Sequence, residues 1–381
     1  MGFYMGVVED PRLAKLLEKP NLRILTVVRD HMSGLLYSVP YLRALREHFP
    51  QAKIMLLANP YATPVLQGCP YIDEIVPFFQ FYEEEEPFAA LKNTAVKGQA
   101  WTKLVSRVDL VVHFRNVGGS TMAFCAGLGK PYQVGYEQGR FNNLLDLNLG
   151  HEDIRLESRL RNGIILEAIG LPTPSTKMEM WLKPEDEVWV ENYLKEQGWQ
   201  EGENIIVFHP GCHWGCNQWL NDRWSQLGDA LHEKYGGKII ITGAPDELPL
   251  AEKIASEMKV KPIISVGATS LMQFAALLGR ADLVIAVDTA PTQICMALDT
   301  PAIIIKAEDD DAIWNNPLAG ERMKIVYGTD PERGDWDRCD FAAGACNGPQ
   351  CRSRMMDLTP EGVVKMAESF LNESLQKAVT G

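Results

Sequence analysis

The sequence predicts an α/β protein made of two doubly wound domains, each built on a parallel sheet. Three observations predict it. Short runs rich in Val, Ile and Leu recur along the chain and read as strands buried on both faces, as in a parallel sheet. Segments with helical apolar spacing separate successive runs, which gives a βαβ order. The whole series then occurs a second time beyond a loop-like stretch, Leu171-Pro-Thr-Pro-Ser-Thr176. At 381 residues the chain is long enough for two domains of ordinary size.

Composition narrows the function classes. Apolar residues make up 46% and charged residues 23%, the balance of a globular chain rather than a disordered one. A net charge of -13 argues against a nucleic-acid partner, because phosphate contacts need a basic face. No apolar run reaches bilayer-spanning length, so at most peripheral membrane contact is expected. Residues Met1 to Gly6 carry neither a basic region followed by a long apolar run nor the Ser or Thr of a myristoylation signal. The expected location is the cytoplasm. The eight cysteines are then expected as thiols or metal ligands rather than disulfides.

The first domain reads in order as follows. Residues 8–19 form a short leading helix, and Leu22 to Val28 a strand. Arg29-Asp30-His31-Met32-Ser33-Gly34 is a turn-rich loop before a helix with Leu42, Leu45 and Phe49 on one face. Strands follow at Lys53–Ala58 and Asp73–Phe78. Glu83 to Glu86 is an acidic run, read as a solvated loop or an acceptor-facing one. Val108 to Phe114 is a buried strand ending at His113, ahead of Arg115, Asn116 and the Gly118-Gly119-Ser120 turn. Gln133 to Tyr136 is strand-like, 141–152 irregular and 154–170 helical.

The second half repeats the plan. Asn204 to His209 is a strand, and Pro210 to Trp219 a long loop holding Gly211, Cys212, His213, Trp214, Cys216 and Asn217. Asp222 opens a helix with Trp224, Leu227 and Leu231 on one face. Lys238 to Gly243 is a strand, followed by Ala244-Pro245-Asp246-Glu247 and a helix. Pro262–Ser265, a Leu271–Leu278 helix, Leu283–Val287, its helix, and Ala302–Lys306 complete the series. Thr359-Pro360-Glu361 starts a last helix with Val363, Met366, Phe370 and Leu371 on one stripe.

The chain is organised around the turn after Leu283–Val287. The strand stops at Asp288-Thr289, and Ala290-Pro291, followed by Thr292, opens an apolar helix through Ile294, Met296, Ala297 and Leu298. Thr289 fits an N-cap, and Pro291 has no N–H to leave unsatisfied. A helix start at the carboxyl end of a parallel strand offers free N–H groups and positive partial charge, which suits a diphosphate. An ordinary strand-to-helix turn is the competing reading. Ligands of such sheets sit beyond the carboxyl ends of the strands. That rule gathers Gly211–Trp214, Gly243–Glu247 and Asp288–Thr292 at one edge, and Asp30–Gly34 with His113–Ser120 at an edge of the first domain.

Two such domains with ligand edges facing a central cleft describe a GT-B-like architecture. The sequence resembles glycosyltransferase family 9, the ADP-heptose:lipopolysaccharide heptosyltransferases. The matching pieces are Ser38-Val-Pro-Tyr-Leu-Arg-Ala-Leu45 with Phe49-Pro50, Pro70-Tyr-Ile-Asp-Glu-Ile75, His209-Pro-Gly211, Arg223-Trp224, Asp288-Thr289-Ala290-Pro291 with Ala297-Leu298 and Thr300-Pro301, a late Cys cluster, and Leu358-Thr-Pro-Glu361. They run in order over residues 22–371. The resemblance implies an inverting, metal-independent transfer of a heptose from a nucleotide donor to a saccharide or protein hydroxyl. It implies an acceptor-side domain over 1–175, a nucleotide-sugar-binding domain over 176–355, and a C-terminal helix over 356–381 crossing back to the first domain. ADP-heptose is the implied donor.

Several family positions are changed. The Gly-Asp of the first loop, whose Asp is the proposed general base, falls on Ser33 and Gly34. Asp30 in the same loop and His113 on a neighbouring strand are the candidates to replace it as catalytic residue, against a plainer role closing a strand or turn. The family's Lys-Arg-Trp in the donor loop reads Asn217-Gln218-Trp219, so the cation facing the leaving diphosphate is missing. Arg115, Arg140 and Lys306 are candidates to compensate. Ala290 and Gln293 stand where relatives commonly have Gly and His. Trp214 fits a sugar or base face, or packing; Glu247 fits the ribose hydroxyls, or a solvated first-turn acid.

Cys339, Cys346 and Cys351, in a Gly-rich stretch, are candidate ligands for a structural zinc or iron, with free thiols as the alternative. Cys69, Cys125 and Cys295 sit in apolar surroundings and are expected in the core. No cofactor is expected for catalysis. Set against the transferase are a nucleotide-sugar-binding protein that has lost transfer, favoured by the missing Asp and Lys, and an epimerase, which needs more acids than the sequence places.

Overall fold

The computed structural model of the chain describes residues 10–28, 32–78, 102–105, 107–114, 119–137, 139–153, 156, 158–172, 175–212, 218–306, 322–327 and 358–380. The chain divides into two units, one ending at Trp181 and the other starting at Leu182.

The first unit opens with helix α1 (Pro11–Leu17), whose N-cap Asp10 accepts the Arg12 N–H. Strand β1 (Arg23–Val28) leads through 29–31 into helix α2 (Met32–His48), and β2 (Lys53–Ala58) and β3 (Glu74–Pro77) follow. Then come β4 (Leu110–Phe114), helix α3 (Gly119–Ala126), β5 (Tyr132–Gly135), the short β6 (Leu147–Asn148) and helix α4 (Ser158–Ala168). The six strands pair in parallel in the order β3-β2-β1-β4-β5-β6. All of β4 and all but the first residues of β1 and β2 are buried, as their unbroken apolar runs require.

The second unit repeats the winding. Helix α5 (Pro184–Glu196) leads to β7 (Ile205–His209), helix α6 (Asn221–Tyr235) and β8 (Lys238–Ile241). Helix α7 (Leu248–Glu257), β9 (Ile263–Ile264), helix α8 (Leu271–Arg280) and β10 (Leu283–Val287) come next. Helix α9 (Ala290–Leu298), β11 (Ala302–Lys306), β12 (Met323–Tyr327) and helix α10 (Pro360–Thr380) complete it. The parallel order is β12-β11-β10-β7-β8-β9. Each sheet therefore reverses winding direction once, at β1/β4 and at β7/β10, and a crevice opens beyond the carboxyl ends at such a point.

An aspartate directly preceding a strand pins the opposite, amino edge of both sheets. Asp73, Asp109, Asp146 and Asp282 accept the backbone N–H of Ile54, Arg23, Gln133 and Ile205 on the neighbouring strand, at 2.7, 3.0, 3.0 and 2.8 Å. Asp109 also takes the Arg23 guanidinium, chiefly that hydrogen bond holding its carboxyl down at about 2. With the amino edges fixed in this way, the loops at the carboxyl edges are left for ligands.

The core of the second unit includes Phe208, Trp219, Trp224, Leu227 and Leu231 together with Val363, Ala367, Phe370 and Leu371 of α10. The described side chains of α10 pack on α6, β10 and β11, where its apolar stripe completes that core. Cys69, Cys125 and Cys295 are buried, as expected. No helix among the described residues is long and apolar enough to cross a membrane.

Candidate functional site

Four loops stand side by side at the carboxyl edge of the second sheet. In the order β11-β10-β7-β8 they carry Lys306, Asp288–Thr292, His209–Cys212 and Gly243–Glu247. Three strand spacings separate the outer two, about 14 Å. Residues far apart in sequence meet here because His209 lies opposite Ala286 in the β7/β10 pairing.

A cavity of about 230 Å³ opens beside β7 and β8, lined by His209, Thr242, Gly243, Ser265 and Phe274 among others. The Thr242 hydroxyl donates to the Phe208 carbonyl at 2.9 Å. Its oxygen therefore accepts from His209 Nδ1–H at 3.0 Å, and this tautomer leaves Nε2 as a bare acceptor. Burial pushes the imidazole down to about 4, so the ring is neutral near pH 7. The Ser265 hydroxyl is buried with no partner, and the Phe274 ring lies 5.6 Å from that of His209. An aromatic wall beside a bare acceptor and an unmet hydroxyl suits a flat polar heterocycle. Sequence reading missed Ser265 and Phe274, because they enter from the end of β9 and the start of α8, which carry no motif of their own.

Glu247 ties two of the loops together. Its Oε2 accepts the Ala244 N–H at 2.7 Å, and its carboxylate lies over the bare Cα of Gly211. A Cβ at Gly211 would sit 2.0 Å from Glu247 Oε1, and one at Gly243 2.8 Å from Oε2. Partial burial raises the carboxyl's pKa. Cys212 packs, half-buried, against the core behind the edge. Trp219 is 2% exposed and donates from Nε1 to the Leu358 carbonyl at 3.1 Å, pinning the far end of the same loop. Trp214 and Asn217 lie outside the described residues.

The β10–α9 turn has the form the sequence suggests, with one difference. Thr289 occupies the N-cap position and Pro291 the first turn, but the Thr289 side chain does not cap. Its hydroxyl lies 3.4 Å from the Val287 carbonyl, so that side chain caps no N–H of the helix start, while the Thr289 carbonyl accepts the Thr292 N–H at 3.1 Å. Ala290 is exposed and Thr292 buried. Asp288 pairs with Lys306 at 3.3 Å.

Glycosyltransferase family 9 (heptosyltransferase) matches residues 121–334, more than half of the chain. The chain belongs to that family. Among its relatives, lipopolysaccharide heptosyltransferase 3 of Escherichia coli (strain K12) is 25% identical over 291 residues, covering 74% of this chain and 81% of that protein. A family 9 glycosyl transferase from Veillonella parvula DSM 2008 superposes with a TM-score of 0.77 at 19% identity, over 97% of this chain and 100% of that one. The E. coli heptosyltransferase WaaC solved with ADP-2-deoxy-2-fluoro heptose gives 0.62 at 17%, over 91% and 99%. The family 9 fold is thus α/β and GT-B-like, with two Rossmann-like domains, and the chain is a nucleotide-sugar glycosyltransferase by family.

The first domain's switch point holds His113 at the end of β4. The Gln133 amide donates to the Leu144 carbonyl, so its Oε1 accepts from His113 Nε2–H at 2.8 Å. Nδ1 is buried without a partner, and the residue is 1% exposed. Burial takes the imidazole down to about 4. Gly135 leaves room for it: a Cβ there would lie 2.9 Å from the His113 Cβ. A buried neutral ring held by Gln133 is the arrangement of the plainer role, closing the strand. Asp30, the other candidate, lies outside the described residues, as do Cys339, Cys346 and Cys351. No cluster of three or more metal-ligating side chains occurs among the described residues.

Proposed function

We propose that this family 9 chain transfers a sugar, heptose first among the candidates, from an ADP-linked donor to a saccharide hydroxyl, with inversion and without a catalytic metal. The observation that carries the proposal is the row of ligand-ready groups at the β7/β10 switch point of a family 9 domain. The His209–Phe274 cavity takes the base, and Glu247 beside Gly211 takes the ribose hydroxyls. The N–H groups at Thr289 and Ala290 take the diphosphate, next to Asp288 and Thr292. Trp214 and Asn217 are further candidate donor contacts. Asp30, between β1 and α2, is the proposed base, removing the acceptor proton during a single displacement through an oxocarbenium-like transition state. Charge on the departing diphosphate is met by helix N–H groups. The protein acts in the cytoplasm.

The second reading, donor binding without transfer, is favoured by Ser33-Gly34 and Asn217-Gln218, which stand where relatives have Asp and Lys-Arg. Incubation with labelled ADP-heptose and a panel of saccharide and protein acceptors separates the two. Transfer to a saccharide is expected, and Asp30→Ala is expected to lower turnover about 10²–10⁴-fold. His113→Gln is expected to change turnover only a few-fold. Retention of label on the protein without product supports the binding-only reading, and full turnover in Asp30→Ala removes the assigned base.

A further inference from the structure

A diphosphate leaving group needs a cation or its equivalent, and the donor-loop Lys of the family is absent here. Of the three candidate replacements, Arg115 lies outside the described residues. Arg140 sits exposed on a first-domain turn, its guanidinium over the Phe141 ring at 5.0 Å. Lys306 is placed differently. It is the last residue of β11, at the carboxyl edge, beside β10. Val287 pairs with Ile305, so Asp288 and Lys306 emerge side by side at the start of the turn into α9.

Lys306 is 5% exposed, and its Nζ makes no hydrogen bond. Asp288 Oδ2, at 3.3 Å, balances its charge without bond geometry. An ammonium has three N–H donors, and buried donors without acceptors are rare because each is costly. A second unmet donor stands in the first turn of α9, where Thr292, 3% exposed, has its hydroxyl buried and unpartnered. The start of α9 is uncapped by its N-cap side chain. At this strand end the Lys306 ammonium thus has an ion pair but no hydrogen bond, the Thr292 hydroxyl has no acceptor, and the helix start beside them is not capped by the Thr289 side chain. Such a set is the complement of an anion with several oxygens.

We propose that Lys306 is the cation for the donor's diphosphate, giving up its bare ion pair with Asp288 for phosphate oxygens held at the α9 N-terminus. The inference rests on the nucleotide-diphosphate donor proposed above. Asp288 keeps the ammonium in place until the donor arrives, and Lys306 then takes the charge role of the absent loop Lys.

The test compares full-length wild type, Asp288→Asn, Asp288→Asn/Lys306→Met and Lys306→Arg by calorimetric titration with ADP, AMP and inorganic pyrophosphate. Thermal unfolding of each variant is followed in parallel. The double variant carries no uncompensated buried carboxylate, so its fold is spared the cost of a broken pair. Relative to Asp288→Asn it is expected to lose about 10–100-fold in affinity for ADP and pyrophosphate, as the loss of charge-assisted bonds implies. AMP is expected to change little, so the preference for ADP over AMP collapses, and Lys306→Arg keeps most of it. A purely structural Lys306 would leave that preference intact. Equal ADP affinity in the double variant and Asp288→Asn overturns the inference while the donor reading stands. Pyrophosphate binding that depends on Lys306, without nucleotide binding, upholds the inference and overturns the nucleotide donor. A wild type that binds neither ADP nor pyrophosphate overturns both.

Discussion

Alanine at position 211 is expected to weaken ADP binding by about 10–100-fold, the size of a lost charge-assisted contact. Gly211 is not held in a left-handed conformation, so the effect is one of space and not of backbone strain. The added Cβ would fall 2.0 Å from Glu247 Oε1 and 2.2 Å from Cδ. Glu247 is the movable partner, and its carboxylate swings away at the expense of the Ala244 bond. The variant therefore removes Glu247 from the edge without altering Glu247 itself. Glu247→Ala is expected to cost about as much, and the two changes together no more than the larger alone, because both abolish one contact. Titration of ADP into the three variants checks this. Additive losses would show that Gly211 and Glu247 act separately, and unchanged affinity would remove Glu247 from the site.

Trp224→Ala is expected to destabilise the second domain by about 3–5 kcal/mol, the range for emptying a buried aromatic site. Trp224 is fully buried, with its ring 5.1 Å from Phe208 and 5.3 Å from Trp219. Those two neighbours bracket the site loop: Phe208 precedes His209, and Trp219 ends the stretch that begins at Gly211. The cavity would thus loosen both anchors, and ADP affinity is expected to fall together with stability. For a domain of this size the melting temperature is expected to drop by roughly 6–20 °C. Differential scanning calorimetry resolves the loss to one domain, since two domains need not unfold in one step. A melting temperature within a degree of wild type would mean that the aromatic cluster does not hold the loop.

Much of the fold is legible because parallel strands are buried on both faces. Runs such as Leu283–Val287 and Ala302–Lys306 carry no alternation to confuse, and their limits in the structure match the apolar runs. The short edge strand Met323–Tyr327 and helix Pro184–Glu196 carry weaker apolar patterns and emerge only in three dimensions. The stripe on the last helix is visible in the sequence, but the core it completes is not. At the site, each loop is legible as the end of a strand. Their adjacency is set by the β11-β10-β7-β8 order, which chain order hides. His113 shows the same gap: its place at a strand end is readable, whereas Gln133 and Gly135, which seal it in, come from the next strand. Lys306 is one of the three candidate replacement cations read from the sequence, and only the pairing of β10 with β11 sets it beside Asp288.

The claim beneath all of this is that the carboxyl edge of the second sheet holds the donor nucleotide. A crystal structure of the protein soaked with ADP tests it most directly. The account predicts the base in the cavity beside His209 and Phe274, the ribose at Glu247, and the diphosphate over the first turn of Ala290–Leu298 within hydrogen-bond reach of Lys306. ADP bound at the amino edge of either sheet, or a second-sheet carboxyl edge left empty at saturating ADP, would contradict it.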